Sequence, residues 1–476
     1  MLCIKKQKQL KKCNNHVIIK GGIIKHAAYF CAAKNYMKYI STILFLLVAE
    51  IAVAQDSLNA VQKKYSIHAQ ATLIPQYHFN FNAPYTGVNS LLPTEPVATS
   101  FTSTLFVAYK AFKNTYIVFN PEASGGKALS HTLGVAGFPN GETYRVGDPA
   151  VHPFIARLYV EQQFPLSNRT ETVEDDINQI KEARHKDYIS VLAGKFSTAD
   201  FFDASEISND PRTQFLNWSL MGSGAWDYPA NTRGYTMGAV VQFIYHDYHV
   251  RTALTTVPIE ANGPDLQFKW GKAMGSVIEF GKKKLFKMSE HVYTDASLGF
   301  FLNKANMGNY NLAIKQALPV FMQPDITTTR EYGREKKGCY ISIDNHFNKI
   351  QHYINYSRND GQNETWAFTE IDRSFATGLH FDGDLWKRKN DHLGIAFVAN
   401  GLSDAHKNYL AAGGYGFIIG DGKLNYGLEQ IIELYYSWNI TGKLFISPDY
   451  QFINHPAYNK DRGPVHVIAV RLHLDL

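Results

Sequence analysis

Apolar and polar residues alternate at every second position along much of the chain. Between residues 235 and 245 the odd positions are apolar, and between 430 and 438 the even positions include Ile432, Leu434 and Trp438. Further alternating runs occur at 443–452 and 468–476, and shorter ones near 155–162, 248–256, 295–303, 339–347 and 391–399. Because successive side chains of a strand point to opposite faces, each run predicts a β-strand with one apolar and one polar or mixed face.

The length of these strands and their aromatic residues favour a membrane barrel over a soluble β-sandwich. The runs extend over about 9–12 residues, the length that a tilted strand needs to cross a bilayer. Aromatic residues stand near the ends of several apolar faces, for example Tyr235 and Tyr245, as they do at a membrane interface. A closed barrel also leaves no aromatic strand with an exposed edge. The pattern therefore predicts an all-β fold, a transmembrane antiparallel β-barrel, with the sandwich as the alternative.

Residues 1–54 differ from the rest of the chain and have the pattern of a secretory leader. Met37 offers a second start, an apolar run follows at 40–48, and small residues at 52–54 end the leader. We expect the true start at Met37, cleavage after Ala54, and a single barrel domain over 55–476. The alternative is a membrane-anchoring helix, but the apolar run is shorter than the roughly 18 residues that a spanning helix needs.

Without the leader the chain is nearly neutral. The whole sequence has 48 basic and 42 acidic residues, and subtracting the leader's nine lysines and one acidic residue leaves 39 and 41, a net charge of −2. This balance predicts no basic face and no nucleic-acid partner. Of the four cysteines only Cys339 lies beyond residue 54, which excludes an internal disulfide and a cysteine zinc site from the barrel.

Long turn-rich stretches separate the predicted strands. They lie at 75–97, 120–153, 197–233, 257–271, 303–335 and 401–424. Several exceed ordinary connection lengths, and long irregular loops in a compact fold are usually functional. The charged segment 169–187 is interpreted as a solvated connection with one or two exposed helical turns.

Motifs for catalysis, nucleotides or metals are weak. Gly414, Gly416 and Gly420 are spaced as in a phosphate loop, but no βαβ unit surrounds them. His246 and His249 would lie on opposite faces of one strand, and no histidine is predicted to be a metal ligand. Two loop acids could act as a hydrolytic pair if they converged, but turn chemistry explains most of them. The acids considered are Glu122, Glu142, Asp200, Asp203, Asp210 and Asp227. We therefore predict no enzyme and no cofactor, although acidic loops could hold a divalent cation.

The polar faces of the predicted strands indicate what a lumen would contain. Arg157 and Glu161 alternate with the apolar Leu158 and Val160. Other charged residues placed opposite an apolar face are Glu429, Glu433, Lys443, Arg471 and His473. In a barrel they would point inward, and a lumen of mixed charge with many hydroxyl groups favours water and neutral polar solutes. In a sandwich they would face bulk solvent.

A series of short sequence motifs lies in and beside the turn-rich stretches. The first group is PQYH at 75–78, PYTGVNSL at 84–91, NPE at 120–122 and AGFPNGE at 136–142 with Arg145. The second group is GKF at 194–196, NDPRTQF at 209–215, GAWDYPA at 224–230 and TRGY at 232–235, and the last is PDYQF at 448–452 and DRGP at 461–464. Over residues 65–476 the sequence resembles the carbohydrate-selective porin family of the OprB type, with 257–440 matching mainly by alternation.

The resemblance implies an outer-membrane β-barrel of about sixteen strands whose loops fold inward to narrow the channel. It implies passive, selective diffusion of mono- or oligosaccharides into the periplasm of a Gram-negative bacterium, with outer-membrane lipid around the barrel. The residues expected at the constriction or in the lumen are Glu122, Glu142, Arg145, Arg157 and Glu161, with Trp226 as a surface on which a sugar stacks. Asp210, Arg212, Asp227 and Arg233 are interpreted as structural salt bridges of the loops.

Two other functions stay open at the level of the sequence. The same barrel could be a general diffusion pore or a polysaccharide exporter, and a general pore would conduct without block by sugars. The other is a secreted soluble β-sandwich, either a sugar-binding protein or a hydrolase. The sequence also leaves open which sugar passes, and whether the chain is a monomer or a homo-oligomer.

Overall fold

The computed structural model describes residues 63–144 and 150–476. The predicted start at Met37, the cleavage after Ala54 and the candidate Arg145 lie outside the described residues. Within the described part, sixteen antiparallel strands close into one barrel, which confirms the predicted fold class. The last strand pairs with the first, so the barrel has no open edge.

The barrel is built from strands that follow one another in the chain. These are β1 (Tyr65–His78), β2 (Ala98–Phe112), β3 (Thr115–Gly126), β4 (His152–Pro165), β7 (Tyr188–Phe196), β8 (Thr236–Tyr245), β9 (Tyr248–Thr255), β12 (Met274–Ser289), β13 (Val292–Met307), β14 (Glu331–Phe347), β15 (Ile350–Asn359), β16 (Arg373–Asp382), β17 (His392–Gly401), β18 (Glu429–Asn439), β19 (Leu444–Asn454) and β20 (Val465–Asp475).

Smaller elements lie in the connections between barrel strands. They are the sheet of β5 (Thr170–Val173) with β6 (Glu182–His185), the sheet of β10 (Val257–Pro258) with β11 (Leu266–Gln267), and the helices α1 (Tyr310–Ala317) and α2 (Asp404–Ala411). No helix in the described part of the chain is long and apolar enough to cross a membrane.

Alternation along the strands separates an apolar outer face from a polar inner face. Val470 of β20 is 42% exposed on the outside, whereas the next residue, Arg471, is 1% exposed on the inside. In β18 the buried Glu433 lies between the outward Ile432 and Leu434. The outer side chains suit lipid, and barrel closure pairs the backbone groups that lipid cannot satisfy. The exception among the predicted inward residues is Lys443, which lies exposed in the turn before β19 because that strand begins one residue later.

The two ends of the barrel differ in their connections. At one end, two-residue turns join neighbouring strands at 113–114, 246–247, 290–291 and 348–349. At the other end the connections are long, and the longest is 197–235. Outer-membrane barrels have short periplasmic turns and longer extracellular loops, so the first end is the periplasmic end.

The segment 169–187 lies at the periplasmic end and differs from its prediction. It contains the hairpin β5–β6 instead of helical turns. The hairpin folds back against the barrel, where Ser66 of β1 donates to the Asp176 carbonyl at 3.3 Å and Tyr116 of β3 donates to Glu182 at 2.6 Å. These tertiary contacts outweigh the weak helix preference of the charged sequence.

The long loops fold into the barrel, as the resemblance implies. Loop residues such as Phe138, Phe215 and Trp366 are buried in one apolar core with residues of the inner wall. The Phe215 ring lies 5.1 Å from the ring of Tyr435 on β18 and 6.1 Å from that of Tyr353 on β15. The loops therefore rest on one side of the wall and leave space at the other.

Candidate functional site

A cavity of about 320 Å³ remains between the inward-folded loops and the part of the wall formed by β1–β4. Its charged lining residues are Glu122, Glu142, Arg157, Asp200, Asp210, Arg212 and Arg233. Its aromatic lining residues are Phe106, Tyr144, Phe154, Trp218, Tyr228, Tyr235 and Phe368. The cavity thus combines opposite charges with aromatic rings.

Arg212 is the centre of the charged cluster. Its Nη2 donates to Glu122 Oε2 at 2.8 Å, and its Nε donates to Glu142 Oε2 at 3.0 Å. Its Nη1 donates to Thr104 Oγ1 at 2.9 Å. Glu122 comes from the inner face of β3 and Glu142 from the loop after it. One loop guanidinium therefore joins the barrel wall to a second loop.

Hydroxyl groups hold the two carboxylates in place. Thr104 Oγ1 donates to Glu122 Oε2 at 2.6 Å, and Thr102 Oγ1 donates to Glu142. The two threonines are two residues apart on β2, so their side chains share its inner face. Tyr235 adds a third hydroxyl, 3.3 Å from Glu122 Oε2. The carboxylates of Glu122 and Glu142 are thus held in fixed positions by the protein itself.

A second ion pair joins β4 to the loop 197–235. Arg157 Nε donates to Asp200 Oδ2 at 2.7 Å, and its Nη2 donates to Asp200 Oδ1 at 2.6 Å. This is the bidentate geometry that makes an arginine–carboxylate pair strong and directional. The guanidinium also lies 5.4 Å from the centre of the Tyr235 ring. The pair is more exposed than the Arg212 cluster, and both of its residues line the cavity.

The charges of the cluster balance one another closely. Burial disfavours a charged guanidinium, but Glu142 and Glu122 outweigh this effect and hold the pKa of Arg212 well above its ordinary value. Two guanidinium groups, of Arg157 and Arg212, face three carboxylates when Asp200 is included. The site is therefore an array of fixed donors and acceptors without a strong net charge.

Aromatic rings form another side of the cavity. Phe368 stacks on Trp218 with 5.6 Å between ring centres, and its ring centre lies 4.4 Å from that of Tyr228. The Arg233 guanidinium covers the Phe154 ring at 4.1 Å. Such rings offer flat apolar surfaces to a ring-shaped solute.

The part of the wall formed by β18–β20, which adjoins β1, holds the loop segment 211–217 that carries Arg212. Arg471 Nη1 donates to the Pro211 carbonyl at 2.9 Å, and the same guanidinium donates to two further carbonyls of the segment. Glu433 accepts the backbone N–H of Asn217 at 2.9 Å. β18 and β20 thus fix the loop backbone at both ends of this segment.

The structure brings three of the predicted site residues together. Glu122, Glu142 and Arg157 all line the cavity. Glu161 also lies on the inner face of β4, but it is nearer the periplasmic end and outside the cavity lining. There it accepts a hydrogen bond from Gln163 at 3.1 Å.

The position of Trp226 corrects the expectation that its ring offers a stacking surface. The side chain is 2% exposed and packs in an apolar core, with its ring 5.3 Å from that of Tyr340 on β14. It turns away from the cavity because the inward fold of its loop presses it against the wall. Phe368 and Tyr228 line the cavity, whereas Trp226 does not.

The predicted loop salt bridges also need correction. Arg212 forms ion pairs, but one of its partners belongs to the barrel wall. Arg233 forms no ion pair within the described residues and contacts aromatic rings instead. Asp227 accepts backbone N–H groups of residues 366–368, and Asp210 accepts the backbone N–H of Arg212 at 2.9 Å. Backbone amides take the place of the expected cations because the loops are buried.

Arg212, Asp200 and Tyr235 belong to the cluster but were not predicted as channel residues. Arg212 and Tyr235 stand in motifs that carry the family resemblance. Their partners lie far away in the sequence, by 90 positions for Arg212 with Glu122 and by 43 for Asp200 with Arg157. No local pattern connects such residues.

Comparison with known proteins gives a family and a fold. The sequence matches the model of the carbohydrate-selective porin, OprB family, over residues 95–476. No curated protein matches the sequence significantly. The chain is similar to the high-pH structure of Pseudomonas putida OprB, with a TM-score of 0.63, 14% identity, and coverage of 87% of this chain and 94% of that chain. Salmonella typhi OmpF in complex with daunomycin gives a TM-score of 0.47 and 9% identity, covering 87% of this chain and 98% of that one.

Proposed function

This chain belongs to the carbohydrate-selective porin family of the OprB type, a family of outer-membrane channels, and we propose that the cluster around Arg212 is its sugar-selective constriction. The protein is an outer-membrane porin through which carbohydrates diffuse passively into the periplasm. The observation that carries the proposal is the meeting of Arg212 with Glu122 and Glu142 at the cavity left by the inward loops.

The array suits a neutral solute rich in hydroxyl groups. Each sugar hydroxyl both donates and accepts hydrogen bonds. It can therefore replace its hydrogen bonds to water with one from a guanidinium N–H of Arg157 and one to a carboxylate oxygen of Asp200. A charged solute gains less binding free energy at this site, because the arginines and carboxylates of the cluster already form ion pairs with each other. Contacts that replace water one for one give the weak binding that release from a channel requires.

The size and shape of the cavity favour a small saccharide. Its volume of about 320 Å³ is at the low end of ordinary ligand pockets, which range over about 300–1,000 Å³. We therefore propose passage of a mono- or short oligosaccharide, with the apolar face of a sugar ring against Phe368 and Tyr228. Ile177 of the β5–β6 hairpin lines the same cavity, so the hairpin narrows the route toward the periplasm.

Planar-bilayer conductance of the detergent-extracted protein tests the proposal, with glucose and maltose-type sugars titrated into the chamber. We expect discrete open channels that close progressively as sugar is added. Arg157→Ala and Glu142→Ala should each weaken this block. Channels that open normally but ignore every sugar would favour the general diffusion pore, and the absence of channels would remove the pore function.

Glu161→Ala is a matched control. It removes a charge from the same inner face of β4 but outside the cavity lining. We expect unchanged sugar block in this variant. If Glu161→Ala weakened the block as strongly as Arg157→Ala, the effect would belong to the lumen charge as a whole and not to the proposed constriction.

A further inference from the structure

We propose that His380, Asp382 and His392 form a binding site for a divalent transition metal at the periplasmic end of the lumen. His380 and Asp382 are two residues apart on the inner face of β16. Asp382 pairs directly with His392, the first residue of β17. Antiparallel register and period-two alternation thus place three ligand side chains on one patch of the inner wall.

The three ligand atoms surround one point. His392 Nδ1 lies 3.7 Å and His380 Nδ1 lies 3.9 Å from Asp382 Oδ1. One ligand atom from each of the three residues lies within 4.8 Å of the other two. Ligand atoms around tetrahedral zinc are separated by about 3.3 Å, given bond lengths of about 2.0–2.1 Å. Small side-chain rotations would bring the set to that spacing.

Hydrogen bonding within the protein does not account for this arrangement. The separations from Asp382 exceed hydrogen-bond distance, and neither Nδ1 atom has a hydrogen-bond partner within the described residues. The two imidazole rings stack with 5.0 Å between their centres, and the Nδ1 atoms of both rings lie within 4 Å of the same Asp382 oxygen. A buried polar atom without a partner is costly unless something binds it. A metal ion would satisfy both nitrogen atoms at once.

Among residues 63–144 and 150–476, no side-chain cation occupies the place of the metal. In the described part of the chain Asp382 has ion pairs with the two histidines alone. The nearby Lys349 and Arg388 are paired with Asp384 and Asp391. The two Nδ1 atoms are themselves buried, whereas the side chains of Asp382 and His392 are 42% and 39% exposed. An ion can therefore enter from the lumen, and water can complete its coordination.

The ligand set selects the class of metal. Two imidazole nitrogens with one carboxylate suit Zn²⁺, Ni²⁺ or Cu²⁺, whereas Ca²⁺ and Mg²⁺ prefer oxygen ligands alone. None of the three residues lines the sugar cavity. Metal binding and sugar binding are therefore separate properties, and the variants that remove one should retain the other.

Calorimetric titration with Zn²⁺ tests the proposal. The full-length protein is purified without a polyhistidine tag, stripped with a chelator and compared with His380→Ala and His392→Ala. We expect one zinc ion per chain in the wild type and no comparable response to Ca²⁺. Even outer-shell changes weaken metal binding by about 10- to 100-fold, so the loss of a direct ligand should weaken it at least as much.

His473→Ala is the control for histidine loss. His473 is also an inner-face histidine beside an aspartate, but its two ring nitrogens are 2.8 Å from Thr72 Oγ1 and 2.9 Å from Asp475 Oδ1. We expect zinc binding to survive in this variant. Retained sugar block in His380→Ala and His392→Ala would show that both variants are folded.

Two results would overturn the proposal. One is a wild-type protein that binds no zinc in excess of the His380→Ala variant. The other is equal weakening by His473→Ala, which would assign the zinc to scattered histidines. Cobalt provides an independent measurement, because Co²⁺ in a nitrogen–oxygen site changes its visible spectrum, and this change should disappear in His392→Ala but not in His473→Ala.

Discussion

Carboxylates of the inner wall have different tasks in two regions of the barrel, the wall that lines the cavity and the wall that anchors the loops. On the cavity side, Glu122 of β3 faces Arg212 and Thr104 at the edge of open space. On the part of the wall formed by β18–β20, which adjoins β1, Glu433 of β18 is fully buried beneath a loop and accepts its backbone N–H groups. Glu429 does the same for the amides of Gly137 and Ala457, at 2.7 and 2.8 Å.

The difference shows that inward orientation alone does not make a channel residue. Both kinds of glutamate alternate with lipid-facing residues in the same way. The two kinds of glutamate differ in their hydrogen-bond donors. A carboxylate that accepts hydrogen bonds from backbone amides fixes a loop. A carboxylate that accepts them from an arginine beside a cavity can also accept hydrogen bonds from a solute. The wall that anchors the loops therefore determines the shape of the cavity beside it.

Arg471→Ala should have the largest effect, because it removes an anchor. The change leaves the carbonyls of Pro211, Thr213 and Gln214 without their charged donor. With about 1–3 kcal/mol for each buried group left unsatisfied, we expect a loss of roughly 3 kcal/mol or more in the free energy of unfolding. Denaturant unfolding in detergent measures it, and sugar block should weaken in parallel because the segment that carries Arg212 loses its support.

Lys443→Ala provides the comparison for that measurement. Lys443 is a cation of the same wall region, but it lies exposed in a turn and supports no loop. Its removal should leave stability and sugar block unchanged. Wild-type stability in Arg471→Ala would mean that the loop is held by its apolar packing and not by the wall.

Residue pattern predicted the barrel well because alternation and strand length are local properties. It also placed Arg157 and Glu433 on the inner face correctly. It could not distinguish an anchor from a channel residue, since backbone amides carry no residue signature. It likewise missed Arg212 and the pairing of His392 with Asp382, which depend on how a loop folds and on the register of two strands.

Arg212→Ala changes the wall of the cavity itself, and we expect it to have the second-largest effect among these variants. The change removes donors to Glu122, Glu142 and Thr104. Hydrogen bonds to charged groups contribute about 1.5–3 kcal/mol, so sugar affinity should fall by about 10- to 100-fold. Conductance block gives the affinity, and Arg212→Lys should recover part of it, because lysine keeps the charge but not the fork. Full affinity in Arg212→Ala would place the constriction elsewhere.

The pH dependence of stability extends the comparison to another buried carboxylate, Asp203 in the loop 197–235. Burial, with the nearby Glu279, raises the pKa of Asp203 from its ordinary 3.8 to about 7, although the Ser223 amide and the Asn355 side chain oppose this shift. The folded protein therefore keeps a proton that the unfolded chain loses, and stability falls as pH rises toward and through 7. Raising the pH from about 6 to about 8 should cost about 1 kcal/mol.

Thermal unfolding at the two pH values measures this effect. Asp203→Asn cannot ionise, so its stability should change less than that of the wild type over the same interval. Equal slopes for the two proteins would show that Asp203 stays ionised in the loop despite its burial.

The smallest expected effect on sugar block is the difference between the variants Phe368→Ala and Trp226→Phe. This comparison distinguishes the role of a ring at the cavity from that of a ring in the core. Phe368 lines the cavity, while Trp226 packs between loop and wall. Aromatic contacts contribute about 0.5–1.5 kcal/mol, so Phe368→Ala should weaken sugar block by about two- to tenfold. Trp226→Phe keeps an aromatic ring in the core and should leave the block unchanged. The reverse result, with loss in Trp226→Phe alone, would mean that the loop opens during transport and brings the indole to the sugar.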